Sequence, residues 1–363
     1  MRDFTYDALG GRVVFGVGAR RRIPEEVDAL GASSVVVVAS SRDDATVEGI
    51  VAGLGDGFAG RFSDVAQHVP VQKVSALREI VTEARADLVV TVGGGSAIGF
   101  GKAVALDPGV MQVAVPTTYS GSEMTPIWGM TADGHKKTGR DPRVQPDVVV
   151  YDPELTLSLP PGVAGPSGMN ALAHCVEALY APGANPVISL LALEGISALA
   201  GALPAVVARP DDVDARTSAL YGAYLAGCSL AVAGTALHHR TCHVLGGMFG
   251  LNHGDMNAAV LPHALAYTRP AIHDEYGRMS DVLGGDAAGA LFDLARAIGA
   301  PVSLAEIGMP PDGVGPAAER IVGEAAANPR PPTVDGIMMM LDDALSGKAP
   351  GAGSLRGRTR AHE

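Results

Sequence analysis

Short runs of β-branched residues alternate with helix-period segments through the first 150 positions. Arg12–Phe15, Ser34–Ala39 (SVVVVA), Asp87–Val92 (DLVVTV), Gln112–Val115 (QVAV) and Asp147–Tyr151 (DVVVY) are nearly continuously apolar, the pattern of strands buried on both faces of a parallel sheet. Within the same region, Gln72–Ala86 places Val74, Leu77, Val81 and Ala84 at helical spacing. Strand–helix alternation of this kind predicts a parallel sheet with helices on both faces. After about residue 155 the β-rich runs stop, and long Ala/Leu/Gly segments punctuated by Pro160–Pro161, Pro186, Pro210 and Pro270 predict an all-helical second half. The expected organisation is an α/β domain over 1–155 and a helical domain over 156–345. The Gly- and Arg-rich segment 346–363 has no apolar period and is expected to be a mobile tail.

Composition agrees with two domains: 363 residues against roughly 100–200 per domain. A net charge of −12 argues against a surface that binds polyanions, so no nucleic-acid partner is expected. The three cysteines are an odd number, and the start MRDFTYDALGG has no apolar signal core, which points to a reducing cytoplasm. Thr217–Leu237 runs 21 residues without a charge, the length of a membrane span. It carries several Gly, Ser and Thr and two Tyr and has no basic flank, so a helix buried inside the domain is the expectation, with no membrane partner.

Two glycine clusters compete for a phosphate. Gly16-Val-Gly18-Ala-Arg-Arg21 lacks the third glycine of GxGxxG. Gly93-Gly94-Gly95-Ser96 follows a predicted strand and opens the helix-like run Ala97–Leu106, where unobstructed backbone N–H groups and the helix dipole suit a pyrophosphate. A third loop, Pro116–Glu123, clusters the hydroxyls of Thr117, Thr118, Tyr119, Ser120 and Ser122 after the next strand, where open α/β sheets bind ligands. In the helical half, Asn170/His174 and His239/His243 are each spaced i, i+4 on one helix face, and His253 follows a Gly-rich break. Imidazoles on neighbouring helices build metal or proton-transfer sites in bundles.

The strings GGGSAIGFGK, PTTYSGSEMTP, KKTGRDPRVQPDVVVYDPELT, PSGMNALAHCVEALYA and HHRTCHVLGGMFGLNHG occur in order and resemble the iron-containing alcohol dehydrogenase superfamily. Within it they are most similar to the maleylacetate reductases. The resemblance implies a dehydroquinate synthase-like architecture with the active site between the domains, and a homodimer. It implies NADH or NADPH on Gly93, Gly94, Gly95 and Ser96, with Thr117, Thr118, Ser122 and Ser40 lining the cofactor and Lys136 on a ribose. The family's metal ligands fall on Asn170, His174, His239 and His253, and its proton-relay position on His243.

Three departures bear on chemistry. Asn170 stands at the family's aspartate and removes the only anionic ligand, so a functional metal is not favoured. Gly99 stands where many members carry aspartate, although Lys102 remains. Ala39-Ser40-Ser41 offers no acid to grip a ribose 2′-OH, and Arg42 is near enough to meet a 2′-phosphate, so NADPH is expected beside NADH. The resulting expectation is metal-free NAD(P)H-dependent reduction of maleylacetate, a small dicarboxylate, to 3-oxoadipate in aromatic-compound degradation. His243 is the expected general acid, His239 and His253 are oxyanion or carboxylate partners that can act as imidazolium, and His174 completes the cluster. Tyr119, Ser120, Arg240 and Asn170 are the candidate substrate binders. A reductase of another carbonyl or enone, and a redox-inactive homologue with a binding or lyase role, are the alternatives.

Overall fold

The computed structural model describes residues 4, 6, 10–132, 135–324 and 327–350. The first half holds β1 (Arg12–Phe15), α1 (Ile23–Leu30), β2 (Val35–Ala39), α2 (Asp44–Leu54), β3 (Phe58–Phe62), α3 (Val71–Glu83), β4 (Leu88–Gly93), α4 (Gly95–Ala105), β5 (Met111–Pro116), β6 (Ile127–Ala132), β7 (His135–Arg140) and β8 (Val148–Tyr151). Six of these strands form a parallel sheet in the order β1-β8-β5-β4-β2-β3. The central strands are the valine runs. Val35–Val38 are fully buried, and each such side chain contributes about 1.5–2 kcal/mol of transfer free energy.

All five strands expected from the apolar runs are present within a residue or so at their ends. Two features escape that reading. β3, FAGRF, lies at the sheet edge with only Phe62 buried, so it lacks the apolar run that marks the central strands. β6 and β7 form a separate antiparallel ribbon whose residues are half-buried or exposed where described, and a ribbon without a buried face has no periodicity to read.

The second half is helical: α5 (Pro161–Ala178), α6 (Pro186–Ala208), α7 (Val213–Ala233), α8 (Leu237–Phe249), α9 (His253–Thr268), α10 (His273–Leu283), α11 (Ala287–Ala297), α12 (Val314–Gly323) and α13 (Val334–Ser346). α5, α6 and α7 pack through small residues. A Cβ on Gly168 would lie 2.3 Å from Leu203, one on Gly195 2.7 Å from the Cys175 sulfur, and one on Gly222 2.6 Å from Leu199. The uncharged run at 217–237 is two elements, because Gly234 at φ 74 ends α7 and the chain bends by 95° into α8. Most of α7 is buried, as expected. Among the described residues, α6 is the single helix long and apolar enough by composition to span a bilayer, with mean hydropathy 1.9. It packs against α5, α7 and α10. α13 closes on Gly347 at φ 65, and the expected tail from residue 351 onward lies outside the described residues.

Candidate active site

The dinucleotide end is built by β4, α4 and the segment after β5. Gly93 ends β4 at φ 144, where an L side chain is strained, and Gly94 precedes α4. A Cβ on Gly94 would lie 3.0 Å from Thr118 Cγ2, and one on Gly95 3.6 Å from Ser120 Oγ. The loop is thus glycine because the following segment lies against it. Gly94, Gly95 and Ser96 are half-buried, whereas the strand before them is closed to solvent. The Thr117 N–H donates to Gly93 O at 3.1 Å. A cleft of about 310 Å³ opens beside this loop, lined by residues including Arg20, Arg42, Asp43, Thr46, Thr117 and Glu154. Arg20 on that wall is paired with Glu154 and Asp152, and bare backbone at a helix start beside an open cleft that presents hydroxyls, Arg42 and Asp43 fits a dinucleotide.

The competing glycine cluster is occupied otherwise. Gly18 N–H and Arg20 N–H donate to the buried Asp152 carboxylate at 3.0 and 3.2 Å, so those donors face an internal anion.

The expectation of no acid at the end of β2 is corrected by Asp43. The 3₁₀ turn Ser41–Asp43 brings it back to the strand end, where it accepts from Ser40 Oγ at 2.9 Å. Its Oδ2 lies 3.9 Å from the place of a Gly93 Cβ. Burial, opposed by the Ser40 hydrogen bond and Arg42, raises its pKa. Arg42 lines the same cleft. Lys136 is paired with Thr131 in the ribbon, and its side chain lies outside the described residues. The Ser122 carbonyl, together with those of Thr125 and Ile127 and the Thr125 hydroxyl, accepts from the buried Lys102 ammonium at 2.6–3.0 Å. Burial brings Lys102 down to about 7, against the pull of nearby Glu123, and its contacts are internal to the fold. At Gly99 the space of a side chain belongs to Val69, whose Cγ2 would be 2.8 Å from a Cβ there. Both His68 and Val69 adopt positive φ (64 and 50), a strained state for non-glycine residues.

The imidazoles gather from α5, α8 and the start of α9. Asn252 caps α9 by accepting from Gly254 and Asp255 N–H at 3.0 and 3.3 Å. A Cβ on Gly254 would lie 3.1 Å from Pro166 of α5, so the bare glycine lets His253 approach α5. His174 and His239 are buried and stack at 4.3 Å between centroids with 10° between planes. His243 and His253 are exposed, with rings 6.5 Å apart and 17° between planes.

Glu177, one turn beyond His174, organises this pair. Fully buried, it accepts the His238 N–H at 2.7 Å and contacts His239 Nδ1 at 2.6 Å. Its carboxylate sits at the start of α8, where free N–H groups and the helix dipole favour negative charge, although burial raises its pKa. A carboxylate taking the Nδ1 proton leaves His239 Nε2 as a lone-pair acceptor. Sequence reasoning missed Glu177, and its signal was the His174-Cys-Val-Glu177 spacing on one helix.

Burial lowers His174 and His239 well below the usual histidine range, and their neighbours' charges lower them further. Burial thus works against the imidazolium role expected of His239. Asn170 Nδ2 lies 3.4 Å from His174 Nε2, and an amide donating there places the ring proton on His174 Nδ1. His174 Nδ1, Asn170 Oδ1 and His239 Nε2 are buried with no partner among the described residues.

Two expected substrate binders are placed elsewhere. Arg240, about 100° around α8 from His239, pairs with Glu324 at 3.2 Å. Tyr119 is 0% exposed and its phenol meets Arg216 at 3.3 Å, inside the helical core. Ser120 remains half-buried beside Gly95.

The implied metal fits this arrangement poorly. Ring-nitrogen lone pairs lie in the ring plane, and two nearly parallel rings 4.3 Å apart share no point that is in plane for both. Asn170 adds no negative charge.

A parallel-sheet nucleotide half, a helical half and a histidine cluster define a dehydrogenase of known lineage. Residues 10–153 match iron-containing alcohol dehydrogenase, residues 165–345 match the Fe-containing alcohol dehydrogenase family, C-terminal, and the chain belongs to this family. It is an oxidoreductase that uses a nicotinamide dinucleotide. It is 47% identical over 349 residues to the maleylacetate reductase of Sphingobium indicum, covering 96% of this chain and 99% of that one. To maleylacetate reductase 2 of Cupriavidus pinatubonensis it is 49% identical over 354 residues, with the same coverage. The crystal structure of maleylacetate reductase from Agrobacterium tumefaciens superposes with a TM-score of 0.94 at 42% identity, covering 96% of this chain and 100% of that one.

Proposed function

We propose that this enzyme reduces maleylacetate to 3-oxoadipate with NADH or NADPH and works without a metal. The observation that carries the reading is near full-length identity above 40% to maleylacetate reductases, together with a histidine cluster that has asparagine in place of an anionic ligand. Support for metal-free chemistry comes from Asn170 and from the stacked His174–His239 pair.

The substrate is a dianionic keto acid whose C=C is conjugated to its ketone. The bound dinucleotide supplies a hydride for the carbon β to the ketone. With the Asn170 amide donating to Nε2, His174 Nδ1–H, unpartnered among the described residues, is the neutral donor offered to the ketone oxygen as negative charge develops there. His243 is exposed in α8, able to exchange protons with water, and delivers the proton to the α-carbon. His253 and Ser120 remain as carboxylate partners. Glu177 holds His239 in one tautomer, so the pair cannot trade protons at random.

The test is NAD(P)H oxidation with maleylacetate, run with and without a chelator beside metal analysis of the purified protein. Full activity in chelator and far less than one equivalent of metal are expected. Stoichiometric iron or zinc with chelator-sensitive turnover would overturn the metal-free reading, and no oxidation with maleylacetate would overturn the substrate.

A further inference from the structure

The segment 117–125 is held from both halves of the molecule. On the nucleotide side, Thr118 occupies the space a Gly94 side chain would need, and the Thr117 N–H donates to Gly93 O. On the helical side, the Tyr119 N–H donates to Ser167 Oγ of α5 at 3.1 Å, and its phenol accepts from Arg216 Nη1 of α7 at 3.3 Å. Gly121 lies against Gly227 of α7, where an added Cβ would be 3.1 Å from the Gly227 Cα.

Arg216 is 0% exposed, and its remaining hydrogen bonds go to the Pro210 and Leu159 carbonyls at 3.1 and 3.0 Å. A buried guanidinium held by neutral oxygens is costly unless its donors are satisfied, so Tyr119 and Arg216 fix each other in place. Ser167, Asn170 and His174 are spaced three and four apart and share one face of α5. Adjacent residues therefore touch the dinucleotide loop, through Thr118, and the imidazole-bearing face of α5, through Tyr119.

We propose that Tyr119, braced by Arg216, is a positioning residue that sets the separation between the dinucleotide loop and the histidine cluster. The inference rests on the reading that hydride transfer to maleylacetate takes place between them. Reacting atoms must lie about 3–3.5 Å apart, and a displacement near 1 Å can cost up to about a hundredfold in rate. Tyr119→Phe deletes the phenol contact and keeps the ring. Ser167→Ala deletes the backbone anchor and leaves the phenol pair intact.

Two readouts decide it: amide hydrogen exchange across 117–125 in the cofactor-free enzyme, and steady-state kinetics with NADH deuterated at the transferred C4 position. In either variant, exchange over 117–125 should quicken about tenfold with β4 unchanged. Turnover should fall about tenfold, the KM for NADH should stay within about twofold, and the isotope effect on kcat should rise as hydride transfer becomes limiting. Unchanged exchange and an unchanged isotope effect would overturn the proposal, whatever the variants do to Tm, and would leave Tyr119 a packing residue. Failure of the wild-type enzyme to oxidise NADH with maleylacetate would sink the functional reading, and the exchange data would still decide whether Tyr119 anchors the segment.

Discussion

Glu177 and His239 show how one buried carboxylate can dictate the chemistry of a neighbouring imidazole. Glu177→Gln keeps the shape and the acceptor for the His238 N–H but places an amide beside His239 Nδ1, so the tautomer inverts. Turnover should drop between about 10- and 100-fold with a small change in the KM for NADH, measured by steady-state assay. An unchanged kcat would remove Glu177 from the mechanism. In the cleft beside the glycine loop, Asp43 and Arg42 oppose each other in cofactor choice: a carboxylate favours a free ribose 2′-OH and repels a 2′-phosphate, while Arg42 attracts one. Asp43→Ala should shift the NADPH/NADH ratio of kcat/KM toward NADPH by about tenfold, roughly 1.4 kcal/mol. A ratio that does not move would mean that Asp43 does not meet the ribose.

Among the elements, α4 depends on its bare start. Gly94 has ordinary backbone angles (φ −81, ψ −167), so alanine there is not strained. Its Cβ would nevertheless press on Thr118 Cγ2 at 3.0 Å. Gly94→Ala should raise the Kd for NADH several-fold in a fluorescence titration, and Thr118→Ser in the same chain, which deletes that methyl, should restore part of the loss. An unaffected Kd would show that the loop does not bear on the cofactor. Elements with strong periodicity were legible: the valine strands, α3 and the long helices follow from burial on all sides or on one face. β3 and the β6–β7 ribbon were not, because their stability comes from pairing rather than from an apolar pattern. Among site residues, Gly93–Ser96, Thr117 and the four histidines could be read from spacing. Glu177, Asp43 and the outward turn of Arg240 could not, since each depends on which neighbour an intervening turn delivers.

For the whole molecule, buried neutral histidines make the fold acid-sensitive. Burial pulls His238 down to about 3 and His263 to about 4, against about 6.5 in the unfolded chain. Their stabilisation is complete above about pH 6.5 and is lost as the pH falls toward those values, at about 1.4 kcal/mol per pH unit for each proton the fold excludes. Glu123 and Glu177, raised by burial, act in the opposite sense over part of that range. The urea midpoint should decline from pH 6.5 to 4, and His263→Leu should flatten the decline, since its ring packs on Phe292 and its Nε2 has no partner among the described residues. An identical slope in the variant would dismiss His263 as a contributor.

The sequence by itself determined the two-part architecture, the glycine turn that opens α4 and the set of histidines, because burial periodicity, helix-start chemistry and i, i+4 spacing are local properties of the chain. The tertiary structure alone decided how those groups are charged and aimed. Burial of His174 and His239 disfavours their charged forms, the turn after β2 brings Asp43 to the strand end, and Glu324 draws Arg240 to itself. The molecule's −12 charge leaves its anion-attracting character to a few placed cations. The structure keeps Arg42 on the cleft wall, pairs Arg20 with Asp152 and Glu154 and buries Arg216 behind Tyr119, because electrostatics depends on distance and burial, which no spacing along the chain records.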